Sequence, residues 1–353
     1  MERRVMADKV TIADVARVAG VSRQTVSNVL NTPDVVRQET RQRVLDVVGE
    51  LGYRVNQAAR QMRTGRSRLI AIRIDPDRDG INGSVLDRFL HGLTDSAARS
   101  GYRVLLYTAD DDRSEVATFE DLLGAYEPDG FVLTGTHHQD PRASWLLDKG
   151  VPFVTFGRPW GKEAEARHPW VDVDGAAGTA AATRHLLDAG HTRIGFLGWP
   201  SPSGVGDDRR EGWARTLAEA GIDHTDLGRA TSDAVADGEA AAHDLLGSDS
   251  GVTALVCVSD SLAVGALHAA RSPGLAWRVD ARPDLPIAVI GFDDTPVAKA
   301  VGLTSLSQPL KEAAASCVTL LARILEGTET ARASAASPAP VLLEPSLVVR
   351  QSA

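Results

Sequence analysis

Residues 10–56 constrain this chain more than any other stretch. They open VTIADVARVAGVSRQTVSNVLN and, after Thr32, continue PDVVRQETRQRVLDVVGELGYRVN. Thr11 puts a hydroxyl at a helix start with Asp14 three residues on, the spacing of a reciprocal cap. Ile12, Val15, Ala16 and Ala19 then recur at helical spacing on one apolar face. Gly20 supplies a tight turn, and Ser22 caps a second helix whose Val26, Val29 and Leu30 face inward. That leaves Arg23, Gln24, Thr25, Ser27 and Asn28 on or near the exposed side. These residue types match base edges and phosphate oxygens. With a third helix behind them, the segment reads as an all-α helix-turn-helix head that recognises DNA.

A net charge of −9 over 353 residues looks wrong for a DNA binder until it is divided. Residues 1–66 carry 12 Lys and Arg against 7 Asp and Glu, whereas the remainder carries 26 against 40. A basic head on an acidic body confines nucleic-acid contact to one end. Cys257 and Cys317 both sit in apolar segments and read as buried, reduced thiols. The opening MERRVMADKV lacks the apolar core of a signal peptide. No run approaches the roughly 18 apolar residues that span a bilayer. A cytoplasmic protein with no membrane partner is expected.

From residue 69 onward short apolar runs alternate with amphipathic stretches. Strands are expected at 69–74, 104–107, 131–134, 152–156, 171–173, 194–197, 254–258 and 287–290. Helices are expected at 85–100, 114–125, 176–189, 209–220, 237–246 and 259–271. This alternation predicts an α/β body of parallel sheets covered on both faces, and eight strands over this length suit two doubly wound lobes. Ligands in such sheets bind beyond the carboxyl ends of the strands. Residues 63–67 (RTGRS) and 328–340 (TETARASAASPAP) read as connectors.

The motif T-I-A-D-V-A-x-x-A-G-V-S-x-x-T-V-S at residues 11–27 resembles the lactose-repressor (LacI/GalR) family of bacterial transcription regulators. Leu51-Gly52-Tyr53, Gly190-His191, Arg193-Ile194, Ser259-Asp260 and Gly291-Phe292-Asp293-Asp294 follow in the family's order and spacing. The resemblance implies a homodimer on a pseudo-palindromic operator in double-stranded DNA, and a body of periplasmic-binding-protein type with a small ligand in its cleft. It implies a DNA-binding domain at 1–55, a hinge helix and linker at 56–67, and an effector-binding and dimerisation domain at 68–353. The DNA-proximal lobe would take about 68–167 and 308–327, and the distal lobe about 168–306 and 328–353.

For DNA, the resemblance places Arg23 and Gln24 at base edges, with Thr11, Ser22, Thr25, Ser27 and Asn31 at phosphates and Asn28 suited to either. Tyr53 precedes the hinge. Residues 56–62, including Asn56, Ala59 and Met62, match a hinge helix too short to be stable alone in water. In the family, paired hinges enter the minor groove and an apolar side chain at the position of Met62 wedges between base steps. This chain has Val55 where relatives usually carry Pro, and Met62 where they usually carry Leu. For the effector, Arg209 aligns with a sugar-binding arginine, Asp293 with an acceptor of sugar hydroxyls, and Ser259 with a position where a relative uses Asn. Trp170 falls where an aromatic often lines the cleft. Ser84, Phe89, Thr134 and Thr136 are further candidates, while Trp160 and Trp199 sit in loops after strands. This set favours a neutral sugar or glycoside, controlling a repressor.

Catalytic signatures are weak by comparison. His137-His138-Gln139-Asp140 lacks the spacing of converging metal ligands. Gly204-Val205-Gly206 lacks the third glycine of a dinucleotide loop, and there is no phosphate loop or G-x-S-x-G. Neither cofactor nor metal is expected. The alternative reading is a DNA-binding head fused to a sugar-modifying enzyme.

Overall fold

The structure, a computed structural model, describes residues 10–54, 61–62, 64–74, 81, 83–161, 163, 166–248, 250–271, 287–327 and 340–353. The chain divides into two compact units, Met1–Ser67 and Arg68–Ala353. In the first, α1 (Ile12–Ala19), α2 (Arg23–Asn31) and α3 (Gln38–Leu51) enclose a core of Val15, Ala16, Ala19, Val26, Val29, Val44 and Val47. Thr11 and Asp14 form the reciprocal cap of α1, which ends at Gly20 with φ +66°. That left-handed conformation favours glycine, and it lets Ser22, two residues later, cap α2.

The second unit contains two six-stranded sheets. In the first lobe, β1 (Leu69–Arg73), β2 (Arg103–Tyr107), β3 (Gly130–Leu133), β4 (Phe153–Phe156) and β5 (Trp170–Val173) are joined by β11 (Val341–Leu343). Their spatial order is β11-β5-β4-β3-β1-β2, with every pairing parallel. One face carries Ile70, Ile72, Val132 and Val154 against α4 (Gly83–Arg99) and α12 (Leu310–Glu326). Phe131, Leu133 and Phe153 pack on the other face with Phe119 of α5 (Asp112–Ala125) and Leu146 of α6 (Pro141–Asp148). Burial on both faces explains why these strands read as continuous apolar runs.

The second lobe holds β6 (Ile194–Gly198), β7 (Gly228–Ala230), β8 (Ala254–Cys257), β9 (Ala288–Phe292), β10 (Thr304–Ser307) and β12 (Ser346–Val348). Their order is β12-β10-β9-β8-β6-β7, and only β12 runs antiparallel to its neighbour. Helices α7 (Gly175–Asp188), α8 (Gly204–Glu219), α9 (Val235–Gly247), α10 (Asp260–Ala270) and α11 (Pro296–Val301) complete this lobe, whose core includes Phe196, Trp213, Leu255 and Ile290. The chain crosses between lobes three times: at Asp174, between Ser307 and Leu310, and between Leu343 and Ser346. Both cysteines are free and fully buried, and burial raises both thiol pKa values.

The expected lobe boundary is corrected in two places. Residues 170–173 and 341–343, assigned above to the distal lobe, belong to the first sheet, because β5 hydrogen-bonds to β4 and β11 to β5. Apolar runs identify strands, but the pairing partner decides the sheet. Strands β7, β10, β11 and β12 and helices α6 and α11 were also absent from the sequence reading. Most of the hinge segment, including Asn56 and Ala59, and the connector at 328–339 lie outside the described residues.

Candidate nucleic-acid interface and ligand cleft

In the head, Val26 and Val29 turn α2 toward the core and leave its N-terminal polar side chains outward. Ser22, Arg23 and Gln24 are exposed, and Thr25, Ser27 and Asn28 half-buried. The Thr25 backbone N–H donates to Ser22 Oγ at 3.0 Å, and Gln24 Nε2 donates to Asn28 Oδ1 at 2.9 Å, one turn along. That bond uses one of the two amide N–H groups of Gln24. Thr11 Oγ1 donates to Asp14 Oδ2 at 2.7 Å. Tyr53 packs in part on the head's core, and Met62 is 89% exposed. Asn31 ends α2.

The second unit builds its site differently, from loops at the carboxyl ends of strands in both lobes. Arg209 of α8 is buried, with its Cζ 3.6 Å from the Phe292 ring centroid and 5.7 Å from that of Trp199. Its Nη1 donates to the Val258 carbonyl, and Nη2 lies 3.8 Å from Asp293 Oδ1. Asp293 follows β9 directly, with φ +112°, and accepts from Gln308 Nε2 at 2.6 Å. A non-glycine residue in this region costs on the order of 1–3 kcal/mol and persists only where surrounding contacts impose it. Burial pushes the Asp293 carboxyl up to about 7, with Arg209 opposing and Asp260 adding to the rise. The same burial lowers the pKa of Arg209 despite Asp293. Desolvation thus outweighs a 3.8 Å attraction on both partners. A ligand that hydrogen-bonds both charges would offset that cost.

Arg209 Nε and the nearby Trp199 Nε1 are buried without a partner, as are Thr134 Oγ1 and Arg158 Nη2 of the first lobe. Unpaired groups of this kind cost about 1–3 kcal/mol each. Two contacts close the lobes over the Arg209–Asp293 pair. Arg88 Nη1 donates to the carbonyls of Asp293 and Asp294 at 3.0 and 3.3 Å. Arg158, after β4, pairs with Asp172 of its own lobe and with Asp208 of α8 at 3.3 Å. Burial raises the pKa of both carboxyls against the pull of Arg158.

Two of the expected cleft residues are engaged within the protein. Phe89 is 1% exposed and stacks on Phe156 at 4.5 Å. Ser259 is fully buried; its hydroxyl caps α10 and donates to Asp233 Oδ1. Ser84 Oγ donates to the Ile81 carbonyl at 2.7 Å. Trp170 is buried at the start of β5, level with Thr155 of β4. Thr136 Oγ1 donates to the Arg158 carbonyl at 3.0 Å. The sequence reading missed Arg88, Arg158, Asp172, Asp208 and Gln308; Arg158 carried a usable signal, because it lies two residues past a strand end.

One cluster runs against the sequence argument on metals. Asp112 joins His137 and Asp140 with ligand atoms within 4.8 Å of one another, a convergence that spacing along residues 137–140 did not reveal. Arg142 already pairs with both carboxylates, at 2.6 Å from Asp140 Oδ2 and 3.4 Å from Asp112 Oδ1. The same guanidinium, with Arg73 and the Tyr107 hydroxyl, satisfies the fully buried Glu115. This arrangement is a buried ion-pair network.

A family model described as bacterial regulatory proteins, lacI family, matches residues 11–56, and one described as a periplasmic binding protein-like domain matches 183–353. The chain is similar to the HTH-type transcriptional regulator CelR of Thermobifida fusca, at 32% identity with 100% of both chains covered. Among solved structures it is similar to a transcriptional regulator CelR–cellobiose complex, at 29% identity and a TM-score of 0.68, covering 98% of this chain and 100% of that one. It shares its fold with a lac repressor dimer bound to operator and the anti-inducer ONPF, at 24% identity and a TM-score of 0.78, covering 98% and 99%. Among the described residues, no helix is long and apolar enough to cross a membrane.

Proposed function

The chain belongs to the lacI family of bacterial regulatory proteins, and from that premise we propose that it is a cytoplasmic, homodimeric transcriptional repressor whose operator affinity is set by a small neutral sugar or glycoside. In this reading Arg23 and Gln24 select bases in the major groove, Thr11, Ser22, Thr25, Ser27 and Asn31 hold phosphates, and Asn28 is suited to either. Tyr53, Asn56, Ala59 and Met62 serve the hinge contacts, and two copies span a pseudo-palindrome.

The observation that carries the effector half is the buried Arg209–Asp293 pair, 3.8 Å apart, whose Arg209 Nε has no partner and whose guanidinium lies 5.7 Å from the ring of Trp199, with its own unpartnered Nε1. An adjoining carboxylate and guanidinium suit vicinal hydroxyls, which donate to one and accept from the other. Thr134 and Trp170 complete the lining from the first sheet. The cellobiose in the similar CelR complex supports this class of ligand. The full-length similarity to HTH-type transcriptional regulators supports regulation over catalysis. Ligand shifts the equilibrium between lobe arrangements only by its differential affinity for them, and the dimer's paired hinges read out the shift.

The test measures operator release by the full chain across a panel of mono- and disaccharides and glycosides. Arg209→Ala is expected to abolish the sugar response and leave ligand-free operator affinity unchanged. A variant that responds at the wild-type midpoint would remove the cleft assignment.

A further inference from the structure

Away from Arg209 and Asp293, the first lobe holds a cavity of about 260 Å³. Its walls include Thr136 and Gln139 after β3, Ser144 of α6, Thr155 of β4, Trp160 and His168. Trp160 and His168 are 8% and 6% exposed, and each of these wall residues has a buried ring nitrogen with no partner. Trp160 Nε1 is necessarily a donor. The role of His168 Nδ1 follows from its neighbours. Thr155 Oγ1 donates its proton to the Gly157 carbonyl at 2.7 Å, so toward His168 Nε2, at 3.5 Å, it can only accept. The Nε2 nitrogen therefore carries the hydrogen and Nδ1 offers a lone pair. Burial lowers the pKa of His168 to about 4, which keeps the ring neutral at physiological pH.

The cavity thus offers one buried donor and one buried acceptor, with further hydroxyl and amide groups from Thr136, Ser144 and Gln139. The Asp140 carboxylate on the same wall is committed to Arg142, and Arg167 is exposed to solvent. An anion would face the His168 lone pair, and a cation would face the Trp160 N–H. A neutral hydroxyl satisfies both, since it donates and accepts. At the roughly 30 Å³ that each water occupies in the liquid, the space equals about nine waters and suits a single small ring.

We propose that this cavity is a second binding site, selective for a neutral polyol or single sugar ring, built wholly from the first lobe. Trp160 ties it to the interlobe cleft. Its ring lies so close to Gly204, at the start of α8, that a Cβ there would fall 2.3 Å from Trp160 Cγ, and Arg158 stacks over the indole at 4.7 Å. The ring that walls the cavity therefore also sets the approach of the helix carrying Arg209.

The experiment uses full-length Arg209→Ala protein, in which the cleft is disabled, and titrates glycerol, xylose, glucose, galactose and myo-inositol by calorimetry and ligand-observed NMR. At least one of these is expected to bind the Arg209→Ala protein. Adding Ser144→Trp, on the exposed side of α6, is expected to weaken that binding at least tenfold, and adding Trp160→Phe severalfold through loss of the indole N–H. Thermal unfolding of each variant confirms that it is folded. The proposal is overturned when no probe binds the Arg209→Ala protein, or when binding is unchanged by either added substitution. Neither result bears on operator release through the cleft, which is measured separately.

Discussion

The head and the interlobe cleft place their functional groups in opposite environments. On α2 the side chains proposed to read DNA are exposed or half-buried, and they bond within one turn, as Ser22 does with Thr25 and Gln24 with Asn28. In the cleft, Arg209, Asp293, Gln308 and Arg158 come from segments up to 150 residues apart and are buried with charges imperfectly matched. The difference teaches that a polar surface site needs no compensation for burial, whereas the cleft holds desolvated charge that its own contacts offset only in part.

The sharpest way to break this contrast is to destroy one region and measure the other. Val26→Asp places an unpaired carboxylate in a fully buried head position, which costs several kcal/mol and exceeds what three short helices supply. Operator binding is expected to vanish in a mobility-shift assay while sugar binding stays within about twofold of wild type. Loss of both would show that the units do not fold independently. Next in size, Arg158→Met strands the Asp172 and Asp208 carboxylates, which are 10% and 13% exposed. A loss of about 3–5 kcal/mol is expected in denaturant unfolding of the second unit. A loss below about 1 kcal/mol would mean that this ion pair is solvated like a surface one.

The pH dependence probes the cleft alone. With the Asp293 pKa at about 7, the carboxyl is mostly protonated at pH 6 and mostly ionised at pH 8. A hydroxyl donating to it requires the ionised form, so sugar affinity is expected to rise up to about tenfold over that interval. Ligand-free operator binding should not follow this curve, and Asp293→Asn should flatten it. A wild-type affinity that is level from pH 6 to 8 would refute the role of Asp293. The smallest effect belongs to the head: Ser22→Ala, which removes the α2 cap, is expected to cost about 1 kcal/mol in the head's thermal unfolding, with Ser22→Gly costing less.

The same contrast governs what the sequence reveals. Thr11 with Asp14, Gly20 and Ser22 were legible because caps and turns are decided within four residues. The two parallel-sheet lobes were legible because doubly buried strands form unbroken apolar runs. Strand β10, with sequence TSLS, has no such run; it is a strand because β9 and β12 pair with its two edges. The covering of Phe89 by Phe156 and the bond from Ser259 to Asp233 are likewise facts of tertiary contact that local sequence does not show. Asp112, meeting His137 at 2.9 Å, is invisible to any argument from spacing.

The three passages between the lobes have little slack. One comprises Asp174 alone, and the others two residues each, between Ser307 and Leu310 and between Leu343 and Ser346. Asp174 N–H also donates to the Leu343 carbonyl at 2.8 Å, lashing two of them together. At about 3.5 Å per extended residue, such straps let the halves pivot by small angles but forbid sliding or wide separation along that border. A protease that severed one strap would still release a single particle, with the remaining two acting as its hinge.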